Sequence, residues 1–237
     1  MRGCLFTLLL GAVVIALVVV VGLPAVAAGA LTAGVKAAGL QANDITVNVT
    51  SDPPWDLLGL SADRVRVRAT NATFRDLRIG ALDLTLLGVS IPGRTTEGVA
   101  GRLTGVTVPN VAGQPLGLSA ITLSGGGDQV TATTTITAAD AAALVAAEVA
   151  SVTGMPVPAS AVHFAAPNKV VVKTAVAPIT ATLSTNANGD LVATAPGIAP
   201  VTVLHAGEDL PLRLTSVRVD AAGNVELSGT MAVSLLG

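Results

Sequence analysis

Between Asp63 and Ala69 the chain reads Asp-Arg-Val-Arg-Val-Arg-Ala, a strict alternation of arginine and aliphatic side chains. Successive side chains of a strand point to opposite faces, so Val65 and Val67 share one face and Arg64, Arg66 and Arg68 the other. A second alternating run follows, in which Leu77 and Ile79 hold odd positions but Leu82, Leu84 and Leu86 hold even ones. The phase flips at Gly80-Ala81. A one-residue slip would turn every later side chain to the wrong face, so a bulge or tight bend is required there, at a glycine. The expected result is a strongly curved sheet.

A length of 237 residues is ample to bury a core, and one elongated domain over 31–237 is the simplest division. Hydrophobic residues make up 51% of the chain, charged residues 12% and aromatics 2%. The core must therefore be aliphatic. Scarce aromatics and a net charge of -2 argue against nucleic acid as a partner, which asks for stacking faces and cations. The cations that exist are clustered: seven arginines lie between positions 64 and 102, against Asp76, Asp83 and Glu97. Two readings follow for Arg64, Arg66, Arg68 and Arg78. They form either the solvated face of a half-buried sheet or a patch for anionic head groups at a membrane surface.

The first 35 residues carry one charge, Arg2, and an aliphatic run from Leu5 to Val21. Seventeen helical residues reach about 25 Å, slightly short of a full span. Residues 1–30 therefore read as a signal peptide or a membrane anchor. Ala25-Val26-Ala27 and Ala28-Gly29-Ala30 are two candidate cleavage sites. In either case the rest of the chain is expected outside the cytoplasm, on the envelope or periplasmic side. The one cysteine, Cys4, lies in this leader, so no disulfide is expected beyond it.

After a short strand at Ile45–Val49, Pro53-Pro54 breaks the ladder and Trp55-Asp56-Leu57-Leu58-Gly59-Leu60 follows. Trp55 belongs either to a short helix plugging the core or to an apolar tip that enters a bilayer. Further strands are expected at 103–108, 116–123, 129–136, 169–176, 179–184, 191–195, 212–220 and 225–235. Turn-rich segments such as Asn186–Asp190 and Asp220–Asn224 separate them and mark antiparallel hairpins. One helix interrupts the strands. Thr137 is its N-cap, Ala141 to Val152 its body, and Gly154 and Pro156 its stop signals. Leu144, Val145, Val149 and Val152 form a thin apolar stripe, while Glu148 is expected to face solvent.

Catalytic equipment is sparse. His163 and His205 are isolated in aliphatic settings and lack metal-ligand spacing; no nucleophile elbow, P-loop or dinucleotide motif occurs; and there is no tyrosine. Neither catalytic residues, a metal nor a cofactor is expected. A hydrolase would need a cleft that gathers a histidine with a carboxylate.

The order of elements carries one further signal. An apolar leader, Ile45-Thr46-Val47, Pro54-Trp55-Asp56-Leu57-Leu58, Asp63-Arg64-Val65-Arg66-Val67 and Leu82-Asp83-Leu84-Thr85-Leu86-Leu87-Gly88-Val89 together resemble the LmeA-like family of actinobacterial cell-envelope phospholipid-binding proteins. The resemblance is densest from about 45 to 91. It implies a fold similar to tubular lipid-binding domains: α+β and β-rich, a strongly curved antiparallel sheet wrapped around a helix, here preceded by an N-terminal apolar helix. It also implies a phospholipid ligand, an inositol phospholipid or its mannosylated form, held without catalysis in envelope biogenesis. Val65, Val67, Leu82, Leu84 and Leu86 then become candidate lining of an acyl groove, facing Leu144, Val145 and Val149 of the helix. Arg64, Arg66, Arg68, Arg78 and Trp55 become candidates for the head group or the membrane surface. A structural or interaction domain at the envelope is the alternative, and it requires a filled interior.

Overall fold

The structure, a computed structural model, describes residues 40–51, 61–74, 77–90, 95–111, 113–126, 129–174, 177–207, 209 and 212–232. The apolar leader and the segment containing Trp55 lie outside the described residues. Two antiparallel sheets and, among the described residues, one α-helix account for the fold. Both sheets are curved and unclosed. The expectation of a single sheet is thereby refined to two.

The larger sheet contains β1 (Leu40–Gln41), β2 (Asp44–Thr50), β3 (Ser61–Phe74), β4 (Leu77–Ser90), β5 (Gly98–Val111), β6 (Gln114–Gly126) and β7 (Gln129–Ile136). It is completed by two late strands, β13 (Arg213–Val219) and β14 (Val225–Ala232). The order is β1-β3-β4-β5-β6-β7-β14-β13, with β2 also paired to β3. The smaller sheet has the order β12-β11-β10-β9-β8, from β8 (Val162–Ala165), β9 (Lys169–Val172), β10 (Ile179–Thr185), β11 (Leu191–Thr194) and β12 (Val201–Leu204). The chain divides into two compact units. One holds Thr107–Ala120 and Thr133–Thr230; the other holds the described residues up to Val106, Ile121–Ala132 and the chain from Met231.

In the second of these units β3 and β4 are each 14 residues long, more than twice a usual strand. Their buried residues pair one to one: Ala62 with Val89, Val65 with Leu86, Val67 with Leu84, Ala69 with Leu82, and Ala72 with Ile79. The spacing along β3 is three, two, two, three, and β4 mirrors it. Each strand therefore changes phase twice. A three-residue step in one strand alone would shift the register, but here the steps coincide and the register holds throughout. Asn71, at φ 48°, stands opposite Gly80 at one step, and Gly88, at φ 56°, opposite Asp63 at the other.

The expected bend at Gly80-Ala81 is present, with a different physical reason. Gly80 is absent from the positive-φ residues; its partner Asn71 and its β5 neighbour Gly105, at φ 60°, adopt the left-handed conformation instead. A side chain at Gly80 would place a Cβ 3.1 Å from the Thr104 carbonyl oxygen. Gly80 lets β5 approach, and the rotation is supplied by its neighbours.

In the first unit the helix α1 (Ala138–Thr153) begins and ends as the sequence indicates. The Thr137 hydroxyl oxygen accepts from the Asp140 N–H at 3.2 Å and donates to the Asp140 carboxylate at 2.8 Å, a reciprocal cap. Asn224 Oδ1 accepts from the Ala138 N–H at 3.2 Å and so ties the helix start to the β13–β14 turn. Gly154, at φ 70°, closes the other end by donating to the Ala150 carbonyl. α1 touches both β8 and β12, which are the two outer strands of the smaller sheet. A sheet whose opposite edges meet one helix must curve around it. Within this unit the five short strands of the smaller sheet wrap the helix.

Candidate binding cavity

Burial along α1 fades from start to finish. Ala141, Ala142, Leu144, Val145 and Ala146 are buried, Val149 is half-buried, and Val152 is 64% exposed. The smaller sheet shows the same trend in side-chain size. On its helix-facing side β10 carries Leu183 and then Ala181, and β11 carries Leu191 and then Ala193, with Ala195 beyond. Where the leucines stand, Leu144, Leu183 and Leu191 close together with Phe164 and leave a void of only about 10 Å³. Where the alanines stand, the helix and sheet cannot meet. An open cavity of about 420 Å³ results.

Its walls lie entirely in the first unit. The helix contributes Val145, Val149 and Val152; the sheet contributes Val170, Val172, Ala181, Ala193, Val201 and Val203. Met155, Pro156, Ile179, Ile198 and Ala199 are among the residues that complete the mouth. Glu148 and Lys173 are the charged groups of the lining. The volume falls within the range of sites that take a small organic ligand.

Glu148 is not the solvent-facing residue that its place on the helix suggests. It is half-buried in the cavity wall. Desolvation raises its pKa above the ordinary carboxylate value; Asp209 adds to the rise and His205 opposes it. A carboxyl here can hold a proton or meet a hydrogen-bond donor, and it cannot be ignored by an apolar ligand.

The candidate groove residues separate into two groups. Val145 and Val149 line the cavity, and Leu144 lies at its closed end. Val65, Val67, Leu82, Leu84 and Leu86 are almost completely buried in the other unit and are not part of this lining. Among the candidate head-group residues, Arg66 donates to Asp83 through Nε at 2.8 Å and Nη2 at 2.6 Å, and Arg68 Nε lies 3.4 Å from the same carboxylate. That fork holds the Asp83 pKa below its ordinary value and raises that of Arg66. Part of the arginine face is thus neutralised within the sheet. Arg64 and Arg78 are exposed, and Trp55 lies outside the described residues. Sequence periodicity missed Ala181, Ala193, Ile198, Val201 and Met155. The visible signal for them is compositional: alanine where leucine precedes it on the same face, and proline-rich segments without charge.

A family model described as LmeA-like phospholipid-binding matches residues 18–234, nearly the whole chain. The chain belongs to this family. No curated protein sequence and no solved structure matches it. Membership in the LmeA-like family supports phospholipid binding by the chain. Among the described residues no helix is long and apolar enough to cross a membrane. Nor do any three histidines, cysteines or carboxylates gather there in a way that could hold a metal.

Proposed function

We propose that this LmeA-like protein is an exported, non-catalytic phospholipid carrier of the cell envelope that seats an acyl chain between α1 and the smaller sheet. The observation that carries the reading is the aliphatic cavity of about 420 Å³ in a chain of a phospholipid-binding family. A filled interior would have favoured a structural or interaction domain; the cavity favours a ligand. Inositol phospholipids or their mannosylated forms are the proposed cargo, with lipid transfer or support of lipoglycan biogenesis as the role. The apolar leader would export the chain or hold it at the membrane.

The test is direct. The purified full chain, extracted with organic solvent, should release a phospholipid in near-stoichiometric amount by mass spectrometry. Ala193→Phe, which fills the cavity from β11, should lose that lipid while keeping its fold by circular dichroism. An empty wild-type protein that also takes up no fluorescent acyl probe would refute the reading.

A further inference from the structure

Among the described residues, large apolar side chains exposed to water are few, and their positions are not random. Five are exposed: Leu87, Val152, Met155, Ile179 and Ile198. Four of those five stand on the cavity mouth, with Val152 at 64%, Met155 at 66% and Ile198 at 46%. The segments bordering this rim are Gly154-Met155-Pro156-Val157-Pro158, then Thr174 with Ala177-Pro178-Ile179, and Ala195-Pro196-Gly197-Ile198-Ala199-Pro200. None of these 15 residues is charged, and five are proline. Exposed loops are ordinarily polar, and a contiguous apolar rim marks a contact surface. The prolines also lower the number of backbone N–H groups that would need partners away from water. The cation flanking the rim is the exposed Lys173.

We infer that the cavity mouth is the part of the molecule that enters a phospholipid bilayer, with Met155, Ile179 and Ile198 in the acyl boundary and Lys173 at the phosphates. The inference rests on the phospholipid-binding reading and assigns its point of entry. Uncharged segments fit the apolar layer, and a lysine beside them fits an anionic surface. A lipid could then pass between bilayer and cavity without crossing water. The membrane contact lies on this rim of the first unit rather than on the Arg64–Arg68 face.

The experiment uses the full chain with Cys4→Ser, carrying an environment-sensitive fluorophore at Met155→Cys, at Ile198→Cys or, as control, at the exposed Ser184→Cys. Vesicles contain phosphatidylcholine and phosphatidylinositol, with or without lipids brominated on the acyl chain. Labels at 155 and 198 should shift to the blue and be quenched by brominated lipid, whereas the label at 184 should do neither. Water-like emission at 155 and 198, in protein that still takes up an acyl probe, would overturn mouth-first insertion and leave lipid binding intact. Vesicle binding through another surface would leave the same water-like emission and would overturn it equally. Failure to take up the acyl probe at all would instead overturn the reading on which the inference rests.

Discussion

Two carboxylates in this chain respond to pH in opposite directions, and each response follows from what surrounds it. Asp83 accepts the Arg66 fork, so its pKa is depressed. Its contribution is present above the ordinary aspartate value and is lost as pH falls through the depressed one. Glu148 is desolvated by aliphatic walls, so its pKa is raised. The folded chain then binds that proton more readily than the unfolded chain does. Stability conferred by protonated Glu148 is complete at low pH and is lost as pH rises from the ordinary glutamate value through the raised one. Glu148→Gln should remove this loss. Melting temperatures of wild type and variant should agree at low pH and separate above that window, the variant being the more stable. Acyl-probe affinity should follow the same curve, falling with pH in the wild type and staying flatter in Glu148→Gln. A difference that does not change with pH would place the carboxylate in water. Helical spacing alone marked Glu148 as an interruption of the apolar stripe, and solvent was the simplest reading. Alternation marked Val65, Val67, Leu82, Leu84 and Leu86 as inward, which they are. Periodicity reports burial, however, and a side chain that faces a ligand has the same period as one that faces protein.

At the scale of elements, the longest and most regular strands were the most legible. Arginine-valine alternation set β3, and the phase change at Gly80-Ala81 set the bend in β4. Its counterpart at Asn71 was hidden, because Ala69-Thr70-Asn71-Ala72 offers no bulky apolar marker on either side of the step. β8 and β12 were not expected, whereas the equally short β9 and β11 were; four residues allow only two inward positions each, so periodicity alone does not decide strands of this length. Helix α1 was legible because its caps are chemical rather than periodic. Thr137→Ala should cost about 1 kcal/mol by removing the acceptor of the Asp140 N–H. The paired steps make a sharper test. At Gly105, φ 60°, alanine should lower stability by roughly 1–2 kcal/mol, since a Cβ disfavours the left-handed region. Asn71→Gly should be nearly neutral, because glycine accepts φ 48° freely. Urea midpoints at constant slope would measure both. Equal losses in the two variants would mean that the steps are not held by backbone conformation.

For the molecule as a whole, the family match runs across residues of both units, whereas the cavity belongs to one of them. Occupancy of this cavity can therefore be read as stability. Phospholipid that binds only the folded chain, supplied to the delipidated protein at a hundred times its dissociation constant, should add about 2.7 kcal/mol. In a protein of this length each 1 kcal/mol moves the melting temperature by roughly 2–4 °C, so saturation should raise it by about 5–10 °C. The same titration on Ala193→Phe separates the cavity from any other lipid contact. A phenylalanine on β11 projects into the cavity rather than into packed protein, so the substitution should not lower the baseline by much, but it should abolish the rise. Lipid that stabilises wild type and variant equally would be bound elsewhere, on the arginine-bearing face or on the exposed rim. A rise confined to the wild type would place the acyl chain between the valines of α1 and the alanines of the sheet. The length of acyl chain giving the largest rise would then measure how much of the cavity it fills.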